Sequence, residues 1–478
     1  MPDSLEQRRS LSSYFHLFVD EIGIKTLAKS DKDVFIILLL RMLRLTGFGA
    51  TSLILVLYLK QIDFEEQFIG MFMTVTFIGD LITSFLLAVA ADIIGRRKIL
   101  MLSSIAMTLT GICFVLFENP YILTAIATIG ILTPYGGEVG PFRSIEQSSL
   151  ASLAPPEQRS DVYSWYTFLG TFCAAIGSIA CGTLVDYMNV HLDYSLASSY
   201  RVAFLGYTVL SFLSIILSYF ISTRIEWTSE EKAKKSQTSK QGSTEQDETT
   251  QLLEPELHSE SQDQQDGHDQ NQKKSKESVF KFMPTLHKSI LVIVIKLSLL
   301  FALDSFASSL ISSSWISYYI KEKFDVSASY LGSVFFVTGI ISSFASLLST
   351  SLTKRLGPVV TMVVTHLPSS ILLALVPLPT SLKVTMAILV LRSSTQSMDQ
   401  APKHVFLATL VPSSERTAVF GWVNVVKTLA QVLGPTITGF FTVYNIQWVC
   451  FVIAGSLKVT YDVGILATFL SYNRHNDH

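Results

Sequence analysis

Twelve apolar runs, most of 20 residues or more, leave this chain few ways to fold. They lie near 34–60, 67–91, 98–117, 121–150, 160–186, 201–223, 288–320, 327–352, 358–378, 381–410, 417–442 and 446–471. Each is long enough to cross a hydrocarbon layer about 30 Å thick. Inside such a layer every backbone polar group needs a partner, which leaves only helices or a closed barrel. None of the runs alternates apolar and polar residues as a barrel strand does. Charged residues make up 15% of the 478, against about a quarter in soluble domains, and they cluster in the loops. The chain is therefore expected to be an all-α membrane protein of twelve transmembrane helices in a lipid bilayer.

A repeat refines this. Leu150–Trp165, LASLAPPEQRSDVYSW, returns as Leu407–Trp422, LATLVPSSERTAVFGW, with seven identities. At the same offset Thr171, Gly177 and Gly182 match Thr428, Gly434 and Gly439. At a slightly different offset Ile69-Gly70 matches Leu331-Gly332, and Gly95 matches Gly357. Matches that keep their order imply two pseudo-symmetric six-helix halves of parallel topology, the plan of a solute transporter that rocks.

The expected organisation is an N-terminal segment 1–33, a first half 34–223, a polar loop 224–285, a second half 286–471 and a tail 472–478. Arg96, Arg97, Lys98, Arg159, Lys354, Arg355 and Arg416 fall on one side, joined there by N-terminal Arg8, Arg9, Lys25, Lys29 and Lys32. Lys60, Arg201, Lys321, Lys323 and Lys383 fall on the other. Positive residues stay inside, so both termini are expected in the cytoplasm. Residues 229–278 of the loop carry no aromatics, and the loop is expected to be disordered. Its start, Trp227–Glu231, suits a short helix capped by Thr228. Glu248, Leu252 and Leu253 resemble an acidic dileucine sorting signal, and a chance match in an acidic loop is the other reading. Upstream, Leu11, Tyr14/Phe15, Phe18 and Ile22 suit a helix lying on the membrane surface.

Between the second and third runs stands Ala91-Asp92-Ile-Ile-Gly95-Arg96-Arg97-Lys98. This segment resembles the signature loop of the major facilitator superfamily, and more narrowly the chain resembles a little-characterised fungal branch of it. The resemblance implies that helices 1, 4, 7 and 10 line a central cavity. It also implies that Asp92, Gly95, Arg96 and Arg97 latch the cytoplasmic gate, with Glu146 beside them. The second copy, Thr353–Pro358, keeps only the glycine and part of the basic charge.

A charge at mid-bilayer costs about 2.5–3.5 kcal/mol even on a lenient scale, so charges within spans should face protein or water. Arg41 and Arg44 lie in helix 1, Glu138 and Arg143 in helix 4, Lys296 and Asp304 in helix 7, and Arg392, Asp399 and Lys403 in helix 10. Glu138 stands among two prolines and three glycines in Thr133–Pro141, a segment expected to break its helix beside a cavity. It reads either as a proton-carrying or solute-binding carboxylate, or as a fixed partner of Arg41 or Arg44. Asp80, Asp304 and Asp399 are further acid candidates, with Lys296, Arg392 and Lys427 as partners. Arg143 with Glu146 suits a local pair, and Lys458 with Asp462 suits mutual neutralisation. Trp165, Tyr166, Trp315, Tyr318, Tyr319 and Trp422 are expected mainly as interfacial anchors.

No nucleotide-binding loop, basic arm or metal spacing is present, so ATP drive, nucleic acid, cofactor and metal are not expected. Cys113, Cys173, Cys181 and Cys450 all lie in apolar runs. The reading is a secondary transporter of a small anionic or zwitterionic solute, coupled to protons. The alternatives are a drug/proton exporter and a non-transporting sensor of the same fold.

Overall fold

The computed structural model describes residues 24–132, 141–155, 158–226, 288–399, 402–403, 406 and 416–473. Among these, nine helices are long and apolar enough to cross a membrane. They are spans 1 (Lys32–Gln61), 2 (Glu66–Ile94), 3 (Arg96–Leu116), 5 (Arg159–His191), 6 (Leu196–Tyr219), 7 (Lys288–Leu310), 8 (Ala328–Leu356), 9 (Pro358–Leu375) and 12 (Trp448–Asn473). The other three are built from shorter pieces. Span 4 is Pro120–Ile129 and Pro141–Leu153, span 10 contains Leu382–Gln396, and span 11 is Arg416–Val432 with Gly434–Val443. Apolar side chains such as Phe85, Leu116, Leu348 and Leu391 stand exposed on the outside, as lipid contact requires.

The breaks have local causes. Asn119 caps Tyr121 and Ile122, Pro120 opens the first piece of span 4, and Gly130 ends it in an extended conformation. Span 11 restarts at Gly434-Pro435, where proline has no N–H to continue the earlier helix. Span 7 was expected as one run. It bends at Ser312, whose hydroxyl accepts from Trp315 N at 3.3 Å and starts a second piece, Ser313–Phe324.

The two halves pack alike. Span 1 lies on 5 and 6, and span 3 on 6; correspondingly span 7 lies on 11 and 12, and span 9 on 12. The halves meet where span 2 crosses 11 and span 8 crosses 5. At the first crossing Gly70 faces Gly439, and at the second Gly332 faces Gly182. These are four of the glycines that mark the repeat. A Cβ on Gly70 or Gly439 would stand 2.6 Å from a backbone oxygen of the other half, and one on Gly182 would stand 2.3 Å from Ala328 O.

We call the face where span 1 begins the near face, and the one where it ends the far face. Hydrogen bonds between the halves gather in the far half of the depth. Ser314 donates to Ser52 O (2.7 Å), Tyr318 to Glu66 (3.2 Å) and Thr74 to Val432 O (3.0 Å). Asp186 accepts from the N–H groups of Ala328 and Ser329 at 3.1 and 2.8 Å, at the start of span 8.

At the near face Gly95 has φ +111° and reverses the chain between spans 2 and 3, as its place in the signature loop suggested. Glu226 accepts from Arg96 N (2.7 Å) and Arg97 N (3.1 Å), and so caps span 3. The Arg96 guanidinium donates to Ile225 O at 2.9 Å and that of Arg97 to Tyr219 O at 2.7 Å. The signature arginines thus clamp the exit of span 6, through a short 3-10 turn at Thr223–Ile225. Glu226→Ala would unmake two charge-assisted bonds at a helix start and is expected to cost about 1–2 kcal/mol. A thermal midpoint unchanged from wild type would remove that role.

The side chain of Asp92 lies outside the described residues. So do residues 11–22, the proposed Thr228 cap, and Glu248, Leu252 and Leu253. Three expected interfacial aromatics are instead packed inside: Trp315 and Tyr166 are fully buried and Tyr318 nearly so. Their rings fill contacts between helices, which outweighs the preference of aromatic residues for the membrane boundary.

Candidate functional site

In the first half, Arg44 of span 1 is bonded bidentately to Glu146 of span 4, at 2.9 and 2.7 Å. The Tyr166 hydroxyl donates to the same carboxylate at 2.8 Å. Arg41 lies 3.7 Å over the Tyr166 ring and donates to Tyr166 O at 2.7 Å. Gly170 leaves the room that this guanidinium needs, since a Cβ there would stand 2.5 Å from Arg41 Nε. The expected Arg143–Glu146 pair is therefore wrong. Glu146 points inward to Arg44, because a buried guanidinium needs a planar partner more than an exposed one does. Glu138 lies outside the described residues.

The second half holds a larger network. Asp304 of span 7 accepts from Lys403 at 2.8 Å and from Lys458 at 2.6 Å. Lys403 also pairs with Asp399 at 2.5 Å, and Lys458 donates to Ser308 at 2.7 Å. His366 Nε2 of span 9 stands 3.7 Å from the same Asp304 oxygen that accepts from Lys458. His366 Nδ1 in turn meets Asp462 of span 12 at 2.8 Å, and Ser370 donates to Asp462 at 3.0 Å. The expected Lys458–Asp462 neutralisation is also wrong: each turns to a different helix, Lys458 to Asp304 and Asp462 to His366. One continuous chain of ionisable groups thus links spans 7, 9, 10 and 12.

That chain borders a cavity of about 200 Å³, also lined by Ser312, Ser369, Arg392 and Gln396. Arg392 Nε is buried without a hydrogen-bond partner among the described residues. Asp304, His366 and Asp399 bring ligand atoms within 4.8 Å of one another, a spacing that could suit a metal ion. Here the Lys403 and Lys458 ammonium groups already engage the Asp304 and Asp399 carboxylates, so positive charge stands where a cation would.

Sequence reasoning brought Asp304 and Asp399 forward but missed His366, because only Asp, Glu, Lys and Arg were sought within the spans. The lone histidine of run 358–378 was the signal. Asp80 of span 2 is buried, with neither carboxylate oxygen bonded among the described residues. Thr76 and Ser84, one turn to either side, are likewise left with unbonded buried hydroxyls. Lys296 is exposed and forms no ion pair among the described residues.

Known proteins agree with this architecture. An uncharacterized membrane protein, YJR124C, of Saccharomyces cerevisiae is 31% identical over 431 residues, covering 90% of this chain and 92% of that protein. Among solved structures, a D-xylose–proton symporter superposes with a TM-score of 0.64 at 13% identity, covering 90% of this chain and 96% of the symporter. The nucleoside transporter NupG gives 0.61 at 12%, covering 92% and 99%. The human organic anion transporter MFSD10 gives 0.55 at 14%, covering 91% and 100%. The profile of the Major Facilitator Superfamily matches residues 37–292 and 297–477. With two six-helix halves meeting at paired crossings and a buried ionic network in each, the chain belongs to that superfamily and is a membrane transporter, not an enzyme.

Proposed function

We propose that this transporter couples a small anionic or zwitterionic solute to protons by alternating access, with its near face in the cytoplasm. The observation that carries the coupling is the chain Asp399–Lys403–Asp304–His366–Asp462. Asp304 holds two lysines from two other spans. A proton on it would weaken both contacts together, so proton uptake and the arrangement of spans 7, 10 and 12 become one equilibrium. His366 bridges two carboxylates and can pass a proton between them. Asp80, a buried carboxyl without a partner among the described residues, is a second proton acceptor in the other half. Glu138 remains a further candidate.

In proteoliposomes an imposed pH gradient is expected to drive flux, and Asp304→Asn to abolish the drive while leaving exchange of pre-loaded solute. Flux indifferent to the gradient would overturn the coupling. Unchanged flux in Glu138→Gln or Asp80→Asn would remove that residue from the pathway. We assign Glu248, Leu252 and Leu253 to sorting: deleting 230–280 should change the membrane in which the protein resides and preserve flux.

A further inference from the structure

The re-pairing of Glu146 with Arg44 leaves Arg143 exposed, with no hydrogen bond or ion pair among the described residues. Arg143 stands ten residues before the near-face end of Pro141–Leu153. Lys427 stands eleven residues after the near-face start of Arg416–Val432. At 1.5 Å per residue both lie about 15 Å deep. They come from opposite halves and are within electrostatic reach of one another. Lys427 is also within reach of Lys403, Asp304 and Asp399. Those two carboxylates are already held by Lys403 and Lys458. The Lys427 ammonium stands 5.9 Å from the centre of the Phe301 ring. Arg392 adds a third cation, whose Nε has no hydrogen-bond partner among the described residues.

Two cations at similar depth, one from each half and neither in an ion pair among the described residues, have a consequence for closure. Bringing the near-face ends together would press them toward each other while water leaves, and like-charge repulsion grows as distance and dielectric fall. We infer that Arg143 and Lys427 form an anion clamp: a carboxylate or phosphate group of the solute lies between them, and the empty protein resists closing its near face until that group is present. This inference rests on the transporter reading and supplies its substrate class.

Spin labels at Lys98→Cys and Arg355→Cys, exposed near-face positions of the two halves, would report closure in the full chain in nanodiscs, with the four native cysteines replaced. The probes are lactate, succinate and inorganic phosphate, each compared with glycerol in one chloride buffer. At least one anion should populate a shorter distance, and glycerol should not. Lys427→Glu or Arg143→Glu should populate that distance without any anion, on the order of tenfold above the unliganded protein, as opposite charges replace like ones. The double reversal R143E/K427E restores like charges and should return to the open distribution, which separates charge from misfolding. Single reversals that match wild type would overturn the clamp. So would closure by glycerol as readily as by the anions, or closure by the reversals with none of the three anions acting. If no variant and no probe ever shortens the distance, it is alternating access that fails, a result distinct from each of these.

Discussion

Alanine at both Gly182 and Gly439 is expected to hold the far face open and to suppress net transport. A Cβ at Gly182 would stand 2.3 Å from Ala328 O, and one at Gly439 2.6 Å from Glu66 O. Both obstacles are backbone, which cannot swing aside as a side chain can. Overpacking of this kind costs about 1–3 kcal/mol per site. The two sites lie at separate crossings, so their costs add to about 2–6 kcal/mol. That moves a two-state equilibrium by about 30-fold to 10⁴-fold. The penalty falls only on the far-closed arrangement, because the clashing partners belong to the other half. Labelling of a cysteine at Ser314, fully buried in this arrangement, should rise from the far side while uptake falls. Gly206→Ala is the control, since nothing lies within 4 Å of its added methyl. A double variant that labels and transports like the control would refute the account of the crossings.

Removing Arg44 should be the most damaging single change to stability. Arg44→Ala leaves Glu146, wholly buried, with only the Tyr166 hydroxyl among its described bonds. Breaking one side of a buried pair costs about 3–5 kcal/mol, whereas replacing both members by apolar residues of similar volume is often neutral or better. Arg44→Ala is therefore expected to lower the thermal midpoint in detergent sharply, and R44M/E146L to recover most of the loss. Equal melting of wild type and Arg44→Ala would show that the pair contributes little. Failure of the double variant to recover would assign the loss to packing against the Phe142 ring, which lies 4.0 Å from the guanidinium carbon.

Much of the fold was legible in the sequence because a bilayer is a severe solvent. Long apolar runs, a repeat in order and a signature loop leave little freedom, and Gly95 turns the chain where its spacing implied. The breaks at Ser312 and Gly434 were not legible, since a capping serine or a proline reads as tolerable until the neighbouring helix is known. The pairings were harder still. Spacing of three or four residues proposes partners on one helix, as for Arg143–Glu146 and Lys458–Asp462. Burial then favours partners on another helix, where geometry satisfies both charges and ties two spans together. His366 escaped notice for a different reason: it acquires meaning only between Asp304 and Asp462, which lie far from it along the chain.

Asp186 makes the far gate lopsided. It grips the first N–H groups of span 8 from span 5, adding a charge-to-dipole attraction of about 0.3–2 kcal/mol. The matching edge, between spans 2 and 11, is held by neutral hydroxyl bonds, Thr436 on Thr74 at 2.7 Å and Thr74 on Val432 O at 3.0 Å. A door with one stiff jamb and one loose one swings rather than lifts. The loose jamb parts first, and the stiff one serves as the hinge line. A solute arriving from the far side would then be expected to enter beside spans 2 and 11.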